Sequence, residues 1–413
     1  VATASMRDPL LVANVATQLG HRLDPDLART AARAAHRTHA DELAEDLARI
    51  AWTGSGDLDD ALLLAEILTL VGRNREAEEL LEGLTATTQD QLALLAMTRA
   101  VNLGQYLEQV DHGQRVLDEA IEQLGPGDWT AEITGLRAVT RLLEGDPTLT
   151  LALVDAGLAT GEGRSFVEAA TAVGPALIVQ GRHLDAAELA ARAFEERTRL
   201  GDQPFLTSPG LHALVRSLAL AEAGCFREAD ELSGAVMQFA SAMGDRDGQA
   251  WAGIIGGRAL LDQGRVEEAC EWFEMAASAS IVANRVQHLR WSRAGVLLAT
   301  AQAGDSEGSR RALDALDSCP PTSLLFMEPE VDRARAWAHV ARHDLTRGRT
   351  LLVAAADRAR EVGQPGLEIR ALHDLIRLSD TREVGRLVSV GEGVQGDLAR
   401  LRVAHGSALA ADD

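Results

Sequence analysis

The stretch "GRVEEACEWFEMA" at 264–276 sets Cys270 among Glu267, Glu268, Glu271 and Glu274, beside the pair Trp272–Phe273. A thiol with carboxylates one turn away holds the ingredients of a nucleophile with its general base, or of a metal site. His36 and His39 in "RAAHRTHADE", followed by Asp41 and Glu42, offer a second chelating spacing, and His339 with His343 a third. None completes a motif. There is no HExxH or CxxC, and "GEGRS" at 161–165 lacks both the lysine and the preceding strand of a phosphate loop. All 40 basic residues are arginine, so chemistry that needs a lysine amine, in a P-loop or a Schiff base, is excluded. The expectation is a chain with no catalytic residue, no metal and no cofactor of its own, and so not an enzyme.

The wider composition says what must position these residues. Apolar residues make up 46% of the 413 but aromatics only 3%, a balance that suits helices packed closely through alanine and leucine. An all-α chain is predicted. Of the formal charge of −22, residues 281–413 contribute nothing, with 18 Arg against 18 acids, and residues 1–280 carry 22 Arg against 44 acids. Such a surface repels a phosphate backbone, so no direct nucleic-acid contact is expected. Cys225, Cys270 and Cys319 stand too far apart for a zinc knuckle or a disulfide framework, which predicts a reducing, cytoplasmic setting. The longest apolar run, "ALLLAEILTLVG" at 61–72, is interrupted by Glu66 and is shorter than a membrane span.

The opening phrase recurs. "GRNREAEELLEGL" begins at 72, "GRHLDAAELAARA" at 181 and "GCFREADELSGAV" at 224, with looser copies at 108, 145, 304 and 343. Steps of 36, 37, 36, 43, 40, 40 and 39 residues are the mark of a stacked helical array. Gly ends one helix, two or three residues link, and a second helix follows. Five residues after the Gly comes a small side chain: Ala77, Ala186, Ala229, Ala269 or Ser309. In the opening repeat Ala269, Phe273 and Ala276 fall on one helical face, which assigns Phe273 to the core and the four glutamates to solvent.

On Gly264, Ala269, Phe273 and Ala276 the phrase resembles the tetratricopeptide repeat, although the usual Trp, Tyr and closing Pro are mostly missing. The resemblance implies a right-handed superhelical α-solenoid of about eight helical hairpins with terminal helices. Residues 1–54 are read as N-terminal helices, 55–360 as the array and 361–413 as C-terminal capping helices. The Lys-free repeats, with "ALHDLIRL" at 371–378 and "LARLRVAHGSAL" at 398–409, are also similar to the repeat region of large ATP-dependent LuxR-type, maltose-activator-like bacterial regulators. That resemblance implies a sensor segment between a nucleotide-binding module and a DNA-reading one. A free-standing scaffold for peptide partners is the alternative.

In an array of this kind the first helices line a concave groove. Counting back from the turn glycines puts Trp251, Trp291 and Trp337 on groove positions, flanked by Arg258, Arg293 and Arg333. Such a ladder suits a flat or sugar-like small molecule, or a peptide with an acidic group, as effector or protein partner. A shift of two residues would instead pack each Trp between helices, and both readings stand at this point. The insert "RLGDQPFLTSPG" at 199–210 is either a loop over the groove or a plain linker. An unfinished array end also favours pairing with a second copy.

Overall fold

The computed structural model describes residues 9–18, 22–38, 40–154, 161–201 and 209–411, and the regular structure among them is entirely helical. His39 and residues 202–208 of the insert lie outside the described residues.

The eight repeat starts read from the sequence all adopt positive φ: Gly72, Glu108, Gly145, Gly181, Gly224, Gly264, Gly304 and His343. Gly264 shows why. Its N–H donates to the Leu261 carbonyl at 3.0 Å and that of Arg265 to Leu260 at 2.9 Å, a Schellman turn that closes one helix. Arg265 is at once the cap of the next helix, so the link is one residue rather than the two or three expected. The small residues five positions on, Ala77, Ala186, Ala229, Ala269 and Ser309, are fully buried.

The helices divide into two compact units, Val1–Ile133 with Ala242–Asp245, and Thr134–Ser241 with Arg246–Asp413. This division falls inside the span read from the sequence as one repeat array, not at 54/55 or 360/361. The first unit contains α1 (Pro9–Gln18), α2 (Pro25–Arg37), α3 (Asp41–Ser55), α4 (Leu58–Leu70), α5 (Asn74–Glu82), α6 (Gln89–Val101) and α7 (Val110–Leu124). Its core is alanine-rich, built on Ala28, Ala31, Ala32, Ala44, Ala48, Leu64 and Leu68. Asp60 is buried there and accepts from Arg29 Nη2 at 2.7 Å and Ser55 Oγ at 2.5 Å.

The second unit takes over within α8 (Asp128–Leu143) and continues with α9 (Pro147–Leu153). Hairpins follow: α10 (Gly163–Val179) with α11 (His183–Arg199), α12 (Pro209–Ala223) with α13 (Phe226–Met243), and α14 (Arg246–Asp262) with α15 (Val266–Val282). Next come α16 (Val286–Gln302) with α17 (Ser306–Asp317), α18 (Glu328–Ala341) with α19 (Leu345–Glu361), α20 (Pro365–Arg377) with α21 (Val384–Gly391), and a last helix α22 (Asp397–Ala411).

The opening motif explains its own packing. Phe273 on α15 is buried, and the glycines of "GIIGG" on α14 make room for its helix. A Cβ on Gly256 would lie 2.3 Å from the Trp272 ring, and one on Gly295 of α16 would lie 2.3 Å from Phe273. Glu267, Glu268, Glu271 and Glu274 are exposed. Burial raises the half-buried Cys270 thiol to about 11, which keeps it protonated and unreactive at neutral pH. The motif is a wall, not a reactive centre.

The second unit also meets itself. The Gly366 backbone on α20 packs against the Ile178 and Val179 carbonyls at the end of α10, where a Cβ would lie 2.7 Å from the first. Gln395, just before α22, donates its N–H to the Gly181 carbonyl at 2.7 Å. Its side chain accepts from the Leu184 N–H at 2.9 Å and donates to Asp185 at 3.1 Å, while His183 Nδ1 lies 2.9 Å from its carbonyl oxygen. The last turns of the unit are thereby tied to its first hairpin.

Candidate ligand-binding site

Because the unit closes on itself, side chains from α12, α14, α18, α20 and α22 converge on one inner face. Arg370 of α20 is nearly inaccessible and contacts three acids: Glu222 of α12 at 2.9 Å, Asp262 of α14 at 2.6 Å and Glu330 of α18 at 3.2 Å. Arg258 reaches Glu222 at 2.5 Å and Glu330 at 3.6 Å. Arg333 bridges Glu330 and Asp374, both at 2.8 Å. Arg402 of α22 lies 3.1 Å from Asp262 and 3.8 Å from Glu222, and Arg377 lies 3.0 Å from Asp374.

Burial makes charged groups costly unless paired, and the ionisation of these side chains reflects that competition. Burial pushes the Glu222 carboxyl up, but Arg370, Arg258 and Arg402 outweigh it and hold it well below the usual carboxylate range. For Asp374 burial is likewise outweighed, here by Arg333, Arg377 and the Trp337 indole, and the carboxyl falls to about 2. Arg370 is driven up by Asp262, Glu222 and Glu330 against its burial. Arg402 goes the other way: burial, with Arg370 and Arg333 nearby, lowers its affinity for its proton.

A cavity of about 300 Å³ opens over this network, lined by Arg333, Arg370, Arg377 and Arg402, by Asp262 and Asp374, and by His373 and His405. The two histidines face each other, Nε2 to Nδ1 at 2.9 Å. Leu261, Leu398 and the largely exposed Leu401 supply apolar wall. This volume is at the small end of ligand pockets, enough for a small molecule or the end of a peptide.

The residues picked from sequence divide. Arg258 and Arg333 do reach the inner face, but as buried members of the ion network. Arg293 does not join them: its Nη1 donates to the Ala315 carbonyl at 2.9 Å and to Ser318 Oγ at 3.1 Å, across α17. Nor do the three tryptophans form one ladder. Trp251 and Trp291 do meet, with ring centroids 5.6 Å apart and planes inclined at 50°, and His288 sits 4.4 Å from Trp251. Trp291 is buried, however, and Phe326 from the α17–α18 loop lies 6.0 Å away, edge-on. Leu324 and Met327 of that loop are buried too, and the Phe326 N–H donates to the Leu143 carbonyl at 3.0 Å. An internal segment thus covers the aromatic wall. Trp337 is separate and buried: its Nε1 donates to Asp374 at 2.7 Å, and the Arg377 guanidinium lies 5.4 Å over its ring. A small space of about 30 Å³ lies beside Trp291, Arg258 and Phe273.

Counting along helices could not find Glu222, Asp262, Arg370, Arg402 or His405, because their neighbours are remote in sequence. One local signal did exist. Arg370, Asp374 and Arg377 punctuate the leucine-rich "LEIRALHDLIRL" at a helical spacing. Of the chelating pairs, His36 lies 3.4 Å from Glu66, His339 lies 3.6 Å from Asp344, and no cluster of metal-ligating side chains occurs among the described residues.

A solved structure shares this architecture. A Rap protein complexed with competence and sporulation factor superposes with a TM-score of 0.58 at 15% identity, covering 87% of this chain and 99% of that one. The fold is a tetratricopeptide-type α-solenoid. An IFIT1 monomeric mutant with m7Gppp-AAAA gives 0.49 at 12% identity over 95% and 91% of the two chains. The P58(IPK) TPR domain gives 0.23 at 14% identity over 87% and 100%. At 15% identity the likeness to the Rap protein is one of fold alone. No family model and no curated protein sequence matches the chain. Among the described residues no helix is long and apolar enough to cross a membrane.

Proposed function

We propose that this tetratricopeptide-type chain is a non-catalytic interaction scaffold whose second unit holds a partner peptide or small effector in the arginine-lined cavity. The observation that carries the proposal is the convergence of five first or capping helices on one charged cavity. The second helices present exposed glutamates such as Glu271 and Glu274 instead. A surface with fixed, ion-paired donors and an apolar rim is preorganised for recognition. The Rap protein of similar fold was solved with a bound factor, in keeping with such use.

The finer reading places the scaffold in the cytoplasm as the sensor segment of a LuxR-type, maltose-activator-like bacterial regulator. It rests on the likeness of the Lys-free repeats and of residues 371–409. Gene sequence flanking this segment tests that part: coding for a P-loop before it and a helix-turn-helix after it is the expected finding.

Hydrogen exchange on the full chain tests the binding site, using a peptide selected against it from a random display library. Protection is expected in α18, α20 and α22. Protection confined to α15 and α17 would refute the assignment.

A further inference from the structure

We infer that the cavity between α14, α16, α18, α20 and α22 is an anion site, taking a carboxylate or phosphate group of the ligand onto Arg402 and Arg377. The inference deepens the scaffold reading and rests on it.

The charges within the network make the case. Among the described residues, every ion pair of Arg258, Arg333, Arg370, Arg377 and Arg402 on this face is made to one of four acids, Glu222, Asp262, Glu330 and Asp374. Five guanidiniums against four carboxylates leave one formal positive charge, in a chain whose total is −22. The surplus lies at the cavity. Arg370 is enclosed by three acids, whereas Arg402 holds its two partners at 3.1 and 3.8 Å and Arg377 has Asp374 alone.

Burial and the neighbouring Arg370 and Arg333 disfavour the Arg402 cation, so an added anion relieves a specific repulsion. Guanidinium forks pair with carboxylate or phosphate oxygens through two parallel N–H donors, and they do so most strongly away from water. His373, held neutral by its burial, and His405 stand on the same wall, and the pair brings an imidazole N–H that can donate to such oxygens. Leu398 and Leu401 would meet the uncharged remainder of the ligand.

Titration calorimetry on the full chain at constant ionic strength tests this, with inorganic phosphate, succinate, and an alanine tripeptide bearing either a free or an amidated C-terminus. Saturable binding of at least one anion is expected, weakened tenfold or more in R402Q and in R377Q and unchanged in R293Q, whose side chain is turned to α17. Should R402Q fail to fold, R377Q decides, because that side chain is 40% exposed. Preference for phosphate points to a phosphorylated small molecule, and preference for the free over the amidated tripeptide to a peptide terminus. Either supports the inference. No binding by any of the probes, or undiminished binding in R377Q, overturns it. A selected peptide that protects α18 and α20 while no anion binds would leave the scaffold reading standing and remove only this one. Anion binding without such protection would do the reverse.

Discussion

The guanidinium of Arg370 meets the carboxylate of Glu222 at 2.9 Å, although 148 residues separate them in the chain. Each is almost wholly buried, and each has other partners of opposite charge. Removing one partner from such a pair leaves uncompensated charge in a poorly solvated place. Glu222→Ala is therefore expected to cost about 3–5 kcal/mol, read as a lowered urea midpoint. Arg310→Ala, which breaks exposed i,i+3 and i,i+4 pairs with Glu307 and Asp314, should leave the midpoint nearly unchanged.

Phe273 fills the space left by Gly257 and Gly295, so both sides of that contact are sensitive. Phe273→Ala should destabilise by about 3–5 kcal/mol, as large-to-small core changes do. Gly295→Val adds volume where a Cβ already lies 2.3 Å from the ring, and a loss of at least about 1–3 kcal/mol is expected. Glu274→Ala, on the exposed face of the same helix, should stay within about 0.5 kcal/mol. Chemical denaturation of the three variants side by side checks the order.

Thiol reactivity offers an independent check on the opening motif. Cys225 is exposed, and Cys270 is half-buried with its thiol raised to about 11. A disulfide reagent at pH 7.5 should label Cys225 well before Cys270. Rapid labelling of Cys270 in the folded chain would contradict its place in the wall.

Acid should weaken the fold well before the carboxylates titrate. Burial, with Arg197 nearby, depresses His212 to about 4, and burial outweighing the pull of Asp374 does the same to His373. In the unfolded chain a histidine takes up its proton near about 6.5, so between that pH and about 4 the unfolded state binds more protons. Stability is thus full above the unfolded value and declines as pH falls toward 4, by at most about 1.4 kcal/mol per pH unit for each histidine. Urea midpoints at pH 7 and pH 5 measure it, and His373→Gln and His212→Gln should each flatten the dependence.

What was legible in the sequence was whatever depends on a few consecutive residues. Gly264 announces its turn because the left-handed conformation is nearly free of cost for glycine, and Ala269 its burial because close helices admit only a small side chain there. Even the weak starts at Glu108 and His343 fell on positive φ, since the period itself located them. The tryptophans were harder. Trp291 could be placed on its helix, but whether anything covered it depended on Phe326, a loop residue with no periodicity to betray it. The cavity was harder still: Arg370 and Arg402 draw their partners from α12 and α14, over 100 residues upstream, and no window on the sequence spans that contact.

Gln395 has a further bearing on how the molecule comes apart. Linear arrays of this architecture melt from their ends, because each repeat leans only on its neighbours. Here one glutamine staples the far end back to Gly181, Leu184 and Asp185, so the terminal helices hold and are held by a hairpin two hundred positions earlier. Fraying from that side is suppressed, and the second unit should denature as one cooperative block. Gln395→Ala should loosen this closure, leaving the Gly366 packing and the Arg370–Glu222 pair to hold it.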